Sequence, residues 1–435
     1  MPASLTVWMN GRRVGVWSQA RGQSSFQYDP AWTVAADRRR LSLSLDFRPD
    51  NAPHKGAVVD NYFDNLLPDS EPIRQRLQSR FGTESQDAFA LLKAIGRDCV
   101  GAVQLLPADE QPVDVEKVSF EELDEAGVEE AIAATLSDGR ILGHATDEEF
   151  RISIAGAQEK TALLRHAGKW CRPLGTTPTT HILKLPLGLV GNLQADMKDS
   201  VENEWLCLTL MAAFGLDAAK AEIAEFGKHK VLVVERFDRV WQGSRWIARR
   251  PQEDFCQALG LPGLRKYEKG GGPGMRAILD VLAFSSAAGP DRRAFVKGQL
   301  LFWLMAATDG HAKNFSLFHE AGGTYRLTPF YDVLSAWPII GHGRNQLAWQ
   351  KAELAMAVRS KNVHWKLKDI RPRHWQSVAR EAGLGEADGL IAEVIAQVPA
   401  ALRKVGDALP DGFPARISEK IFAGIERQAK VLAAG

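Results

Sequence analysis

The opening MPASLTVWMNGRRVGVW alternates between apolar and polar positions. That period of two predicts a pair of strands joined at Asn10-Gly11, a dipeptide suited to a tight hairpin turn. Helical spacing follows and predicts helices over 56–66, 71–81 and, close behind, 86–94. Pro68-Asp69-Ser70 stops the first of these and Gly82 the second. A short strand over 102–106 comes next. Pro107 then opens an acidic stretch reaching to Glu130, which reads as a solvated linker with one surface helix.

From about residue 150 the pattern becomes strand-like. Strands are predicted over 151–154, 161–165, 181–185 and 231–234, with the loop AGAQEK after the first. A helix is expected from about 200 to 214, where Gly215 ends it. Beyond about 240 the pattern is mostly helical, broken by a Gly-rich loop at 270–274 and a hairpin near 315–328. A small β-rich unit before a larger helical one is the lobe order of a kinase. The expected fold is therefore α+β and two-lobed, like a protein kinase. Its domains would be an N-terminal α/β subdomain with the acidic linker (1–145), a β-rich small lobe (146–238) and an all-helical large lobe (239–435).

Composition narrows the function classes. At 435 residues the chain exceeds what one core holds, and 45% hydrophobic with 25% charged residues is ordinary for a globular protein. The net charge of +1 gives no whole-molecule attraction for nucleic acid or an anionic membrane. The apolar stretch at 300–307 falls far short of the roughly 20 residues a membrane span needs. Cys99, Cys171, Cys207 and Cys256 are scattered without a CxxC pair, which disfavours structural zinc and a disulfide framework. A reduced, cytoplasmic setting is the expectation.

The chemistry concentrates in Thr308-Asp309-Gly310-His311-Ala312-Lys313-Asn314. An aspartate followed five positions later by an asparagine repeats the catalytic-loop spacing of kinases. Asp309 would accept the substrate hydroxyl proton, Asn314 would hold Mg²⁺, and Lys313 could neutralise phosphate charge. An ordinary polar turn uses the same residues. The following hairpin, however, delivers a second carboxylate, Asp332, in the position of a metal ligand; its alternative is a helix N-cap. Upstream, Lys184 interrupts the apolar strand, where an unpaired ammonium would be costly. Its expected partner is Glu204, which shares a helical face with Val201, Leu208 and Met211; Glu202 precedes a more exposed face. Such a lysine–glutamate pair holds the α- and β-phosphates of ATP in kinases. Glu235-Arg236-Phe237-Asp238 leaves the last small-lobe strand, so Phe237 could wall the adenine and Glu235 or Asp238 reach the ribose. The loop Ala155-Gly156-Ala157-Gln158-Glu159-Lys160 has one glycine and matches no Gly-rich phosphate motif. If it covers ATP, Lys160 and backbone amides must bind it.

Several segments together resemble the HipA family, kinase toxins of bacterial toxin–antitoxin pairs: FRISIAGAQEKTALL, TPTTHILKLP, VENEWLCL, VERFDR, PQEDFCQALG, GGPG, ATDGHAKNFS and YRLTPFYD. FDNLLPDS and IGRDCVGAV add to the resemblance near the start. It implies an ATP- and Mg²⁺-dependent serine/threonine protein kinase with glutamyl-tRNA synthetase as substrate, whose phosphorylation blocks translation and causes growth arrest and persistence. By resemblance, Lys184 falls on the ATP phosphates, Asp309 is the base, Asn314 and Asp332 bind Mg²⁺, and Glu235 and Phe237 lie at the adenine. Ser153 matches an autophosphorylation site that switches the kinase off. The implied partner is a HipB-like helix-turn-helix antitoxin, with DNA reached chiefly through it. Two other readings stay open: a lipid or small-molecule kinase, and a kinase-shaped corepressor without turnover. Label transfer from ATP separates the last from the others.

Overall fold

The computed structural model describes residues 3–136, 158–191, 193–385 and 387–434. They form two compact units. The first comprises Met1–Leu185, Ala224–Leu264 and Ser316–Tyr325; the second comprises Pro186–Ile223, Arg265–Phe315 and Arg326–Gly435.

In the first unit, strands Ala3–Met9 and Arg12–Ala20 flank the Asn10-Gly11 turn, whose two residues both have positive φ, 47° and 77°. Asparagine and glycine tolerate that conformation, and it matches the twist of the strands on either side. The sheet runs His54–Lys55, Gln23–Tyr28, Arg12–Ala20, Ala3–Met9, Val103–Pro107, each antiparallel to its neighbour. Helices Ala57–Asp64 and Ala88–Ile95 supply Val59, Phe63, Leu92 and Ile95 to its core. There Trp17 stacks on Phe63 at 4.0 Å, and Phe89 meets Trp17 edge-on at 4.8 Å. Such aromatic pairs add about 0.5–1.5 kcal/mol each beyond burial.

A second sheet of this unit places Phe120–Glu122, Lys169–Pro173, Lys160–His166, His181–Lys184 and His229–Glu235 side by side, all antiparallel. The acidic stretch is more structured than its charge predicts. Glu121 and Glu122 sit on the edge strand and pair with Arg172 at 3.0 Å and Lys169 at 2.7 Å. The helix Glu125–Leu136 buries Val128 and Ile132 against Leu163, Leu183, Val231 and Val233. It is thus a packed helix with a solvated outer face, because two apolar residues four apart suffice to seat it.

Between the strand Val103–Pro107 and this second sheet lies a buried ion cluster. Asp98 accepts from Arg239 Nη2 at 2.9 Å, Arg249 Nε at 3.1 Å, Arg236 Nη1 at 3.3 Å and the Thr179 hydroxyl at 2.8 Å. Asp238 accepts from Arg236 at 2.9 and 3.1 Å and from the Gly101 amide at 2.7 Å. Both guanidinium and carboxylate side chains are almost wholly enclosed. The segments IGRDCVGAV and VERFDR are therefore parts of one clamp.

The expectation of a mostly helical chain after 240 needs amendment. Strands Arg239–Gln242 and Trp246–Arg249 pair, as do Gln252–Asp254 and Ser316–His319. The second unit is built on helices Ser200–Ala213, Met275–Leu282, Ala288–Leu304, Pro372–Glu381, Ala387–Gly406 and Ala415–Ala433. Among the described residues it also holds two antiparallel pairs, Gly188–Val190 with Ala195–Met197 and Glu353–Arg359 with Val363–Lys366. No described helix is long and apolar enough to cross a membrane.

Candidate active site

The DGHAKN turn stands on an aromatic base within the second unit. Helix Ala288–Leu304 brings Phe295 and Phe302 against Phe315, at 5.2 and 5.7 Å between ring centres, and Phe330 closes the cluster at 6.0 Å from Phe315. The chain leaves this helix through Ala306, held at φ 49°. At Gly310 a Cβ would come within 2.4 Å of the Phe302 ring, so only glycine lets the turn sit this low. Asp309 is left exposed at the tip.

The turn is tightened by its own backbone. His311 N donates to Asp309 O at 2.8 Å and Asn314 N to His311 O at 2.9 Å, winding Ala312–Asn314 into a 3₁₀ turn. Lys313 and Asn314 are buried, 7% and 5% exposed, although both are polar. Beyond strands Ser316–His319 and Tyr325–Leu327 the chain comes back beside them. Asn314 Nδ2 donates to Asp332 O at 3.3 Å, and the Tyr331 hydroxyl donates to Lys313 O at 2.9 Å. Asp332 itself has φ 55°, a left-handed conformation that aspartate and asparagine tolerate better than most residues. Its helix N-cap alternative has no counterpart, since the chain after it stays irregular until the short turn at Trp337–Ile339. Ser335 fixes the segment: its hydroxyl donates to Met305 O at 2.6 Å, and it exchanges two 2.8 Å bonds with Asn203.

Fit to Mg²⁺ can be judged from the donors. With Nδ2 occupied, Asn314 Oδ1 is buried and has no hydrogen-bond partner among the described residues. A buried acceptor left in that state is costly unless something electropositive meets it. One such amide oxygen near one carboxylate is the sparse oxygen set that Mg²⁺ uses when phosphates and water complete its shell. The residues fit the ion.

Glu204 lies on helix Ser200–Ala213 and is 2% exposed, together with Val201, Leu208 and Met211. Glu202, expected on a more exposed side, is buried as well at 4%. This helix is enclosed on most of its circumference, so an amphipathic face does not discriminate between the two carboxylates.

In the first unit, Lys184 is buried and Lys160 stands directly opposite it in the antiparallel pair. Opposed residues leave a sheet on the same face, so two ammonium groups share one patch. Like charges so placed destabilise a sheet unless anions accompany them. Gln158 Nε2 donates to Leu185 O, and Glu159 forms an ion pair with Arg76. Ser153, Ala155, Gly156 and Ala157, with the predicted strand over 151–154, lie outside the described residues. Glu235 is exposed at the end of its strand, and half-buried Phe237 meets Phe318 edge-on at 5.7 Å. Asp238 is a correction. Rather than reaching a ribose, it commits both its oxygens to Arg236, Arg239 and Gly101 inside the clamp. A carboxylate so engaged is structural.

Sequence reasoning gave no role to that clamp or to Tyr267, whose hydroxyl donates to Asp309 Oδ1 at 2.6 Å. The signal for the clamp was the density of Arg and Asp in RFDR and GRD beside apolar strands; for Tyr267 it was only proximity to the glycine run.

Known proteins place these features in a family. The model of the HipA-like C-terminal domain matches residues 152–402 and that of the HipA N-terminal domain residues 5–106. "Putative kinase Y4mE" of Sinorhizobium fredii is 34% identical over 387 residues, which is 88% of this chain and 86% of that protein. The serine/threonine-protein kinase toxin HipA of Shewanella oneidensis is 30% identical over 297 residues, 64% of this chain and 63% of its own. In the solved complex of Shewanella oneidensis MR-1 HipA, HipB and operator DNA, one chain superposes with a TM-score of 0.78 at 21% identity. That match covers 99% of this chain and 97% of the other, and shows a shared protein-kinase-like fold of mixed helix and sheet. Together with the two matched domains, these likenesses establish that the chain belongs to the HipA family.

Proposed function

We propose that this chain is an ATP- and Mg²⁺-dependent serine/threonine protein kinase that acts as a toxin. The observation that carries the reading is the turn in which exposed Asp309 is followed by Asn314, whose buried Oδ1 lacks a partner among the described residues while its Nδ2 holds the backbone of Asp332. Kinship with proteins named as kinases supports it.

In this reading Asp309 accepts the proton of a substrate serine as its oxygen attacks the γ-phosphorus, and ADP leaves. Asn314 and Asp332 hold Mg²⁺, which when bound neutralises phosphate charge. Lys184, with Glu204 as its partner, and Lys160 bind the phosphates; Lys313 offsets charge on the group in transfer. Ala155, Gly156, Ala157 and Gln158 contribute to phosphate binding, and Glu235 and Phe237 receive the nucleoside. The substrate is glutamyl-tRNA synthetase, whose modification halts charging of glutamate tRNA and arrests growth in the cytoplasm. A HipB-like antitoxin restrains the kinase and links it to operator DNA, as the solved Shewanella oneidensis complex of HipA, HipB and operator DNA suggests by analogy.

Incubation with γ-labelled ATP, Mg²⁺ and purified glutamyl-tRNA synthetase tests this. Label on a serine of the synthetase, located by mass spectrometry, is the expected result. Label confined to lipid or a small metabolite favours another kinase class, and no transfer to any acceptor leaves the corepressor reading. Self-inactivation has its own expected result: Ser153→Ala removes self-labelling and keeps transfer to substrate at or above the wild-type rate. Continued labelling of that variant at another residue rejects Ser153 as the switch.

A further inference from the structure

The Gly-rich segment after residue 264 is a motif for which the proposed chemistry has no use. Its sequence, Arg265-Lys-Tyr-Glu-Lys-Gly-Gly-Gly-Pro-Gly274, precedes the catalytic turn by more than thirty residues. The two nevertheless touch within the second unit. Ala312 N donates to Lys266 O at 3.1 Å, the Tyr267 ring meets the His311 ring edge-on at 4.9 Å, and the Tyr267 hydroxyl donates to Asp309 Oδ1 at 2.6 Å.

We propose that Tyr267 is a positioning residue for the base, and that the Gly-rich segment exists to hold it there. The inference rests on the reading of Asp309 as base. An exposed aspartate at the tip of a turn can rotate about two side-chain bonds, and a base must present its oxygen to the substrate hydroxyl within hydrogen-bond reach. A short bond from a phenol to a carboxylate is a charge-assisted one, and it engages one oxygen. The carboxylate is then limited in rotation, and its other oxygen can face the substrate.

The backbone that carries Tyr267 is itself held from several sides. Gly270 N and Gly272 N both donate to Tyr267 O at 3.0 Å, and Gly271 N donates to Glu268 O at 3.0 Å. A Cβ on Gly272 would fall 1.9 Å from Arg265 O, which excludes any side chain at that position without a backbone shift. Glu268 accepts from Ala357 N at 2.6 Å and from Arg359 Nε at 3.0 Å, and Lys269 pairs with Glu353 at 2.7 Å. These ties fasten the segment to strand Glu353–Arg359. A plug that occupied the place of the substrate hydroxyl would have to swing away in each turnover, and a segment anchored so often is poorly built for that. Positioning fits the anchoring.

Tyr267→Phe keeps the ring against His311 and removes the hydroxyl. The expected result is a fall in kcat for protein phosphorylation of about ten- to a hundredfold, with KM for ATP and the thermal midpoint unchanged. A kcat equal to wild type overturns the proposal. So does a raised kcat, which would mark Tyr267 as a plug, and so does a loss accompanied by a lower midpoint or a changed KM for ATP, which would mark a structural role. Absence of transfer by the wild-type chain overturns the kinase reading itself and this inference with it; normal wild-type transfer with an indifferent Tyr267→Phe overturns only the latter.

Discussion

Asp309→Asn lowers phosphoryl transfer by about 10²–10⁴-fold, the usual contribution of a general base, and leaves the fold intact. Asparagine has nearly the same shape, and its side-chain oxygen can still accept from Tyr267, which now bonds the carboxylate at 2.6 Å. Only the capacity to take up a proton is lost. Asp332→Asn is expected to have a similar effect on activity for a different reason: it removes charge from the proposed Mg²⁺ ligand, while asparagine tolerates the φ of 55° found there. Label transfer from ATP by the purified variants, alongside circular dichroism and growth of expressing cells, provides the measurement. Folded variants that still transfer phosphate at the wild-type rate would count directly against the assignment, as would growth arrest that persists without transfer.

The second large effect is on stability. Asp98→Asn is expected to cost about 3–5 kcal/mol, the range for breaking a buried ion pair from one side. Asp98 receives Arg236, Arg239 and Arg249, and its neutralisation leaves Arg249 without its carboxylate and Arg236 and Arg239 with only that of Asp238. The new amide also presents donors where the Thr179 amide and hydroxyl now donate to Oδ2. A lowered urea midpoint, with faster hydrogen exchange around 98–101 and 236–239, is the readout. An unchanged midpoint would show that the clamp contributes nothing net.

The same cluster sets an acid limit. Burial by itself would raise the Asp98 pKa, but Arg239, Arg249 and Arg236 together outweigh it and hold the carboxyl well below the usual carboxylate range. Asp238 is lowered in the same way: burial opposes ionisation, and Arg236 and Arg239 prevail. A carboxyl depressed in the folded state stabilises fully above its unfolded pKa, near 3.9. That stability drains away as pH falls from there toward the folded value. The first unit should therefore loosen below about pH 4, and Asp98→Asn should flatten that part of its acid titration.

Local chemistry decides some features here by itself. Asn10-Gly11 makes a hairpin wherever it joins two alternating segments, because few other pairs tolerate two positive φ values. Helix Glu71–Phe81 ends where Gly82 takes up φ 62°, a stop written in one residue. The spacing from Asp309 to Asn314 and the later arrival of Asp332 are equally readable, since they depend on neighbours in the chain. The strand Glu353–Arg359 is not: Glu-Leu-Ala-Met-Ala would serve a helix, and pairing with Val363–Lys366 overrides that preference.

What the sequence determined, then, are the turns, caps, apolar periods and the order of reactive groups, because each arises from interactions across a few residues. Tertiary structure alone decided that Asp238 serves a clamp, that Glu202 is as buried as Glu204, and that Tyr267 bonds Asp309. Asp98 and Arg239 stand 141 positions apart, and Tyr267 and Asp309 stand 42 apart. No local periodicity encodes such meetings; they follow from which surfaces the folded chain brings together, and a charged side chain's role is set by the partner it finds there.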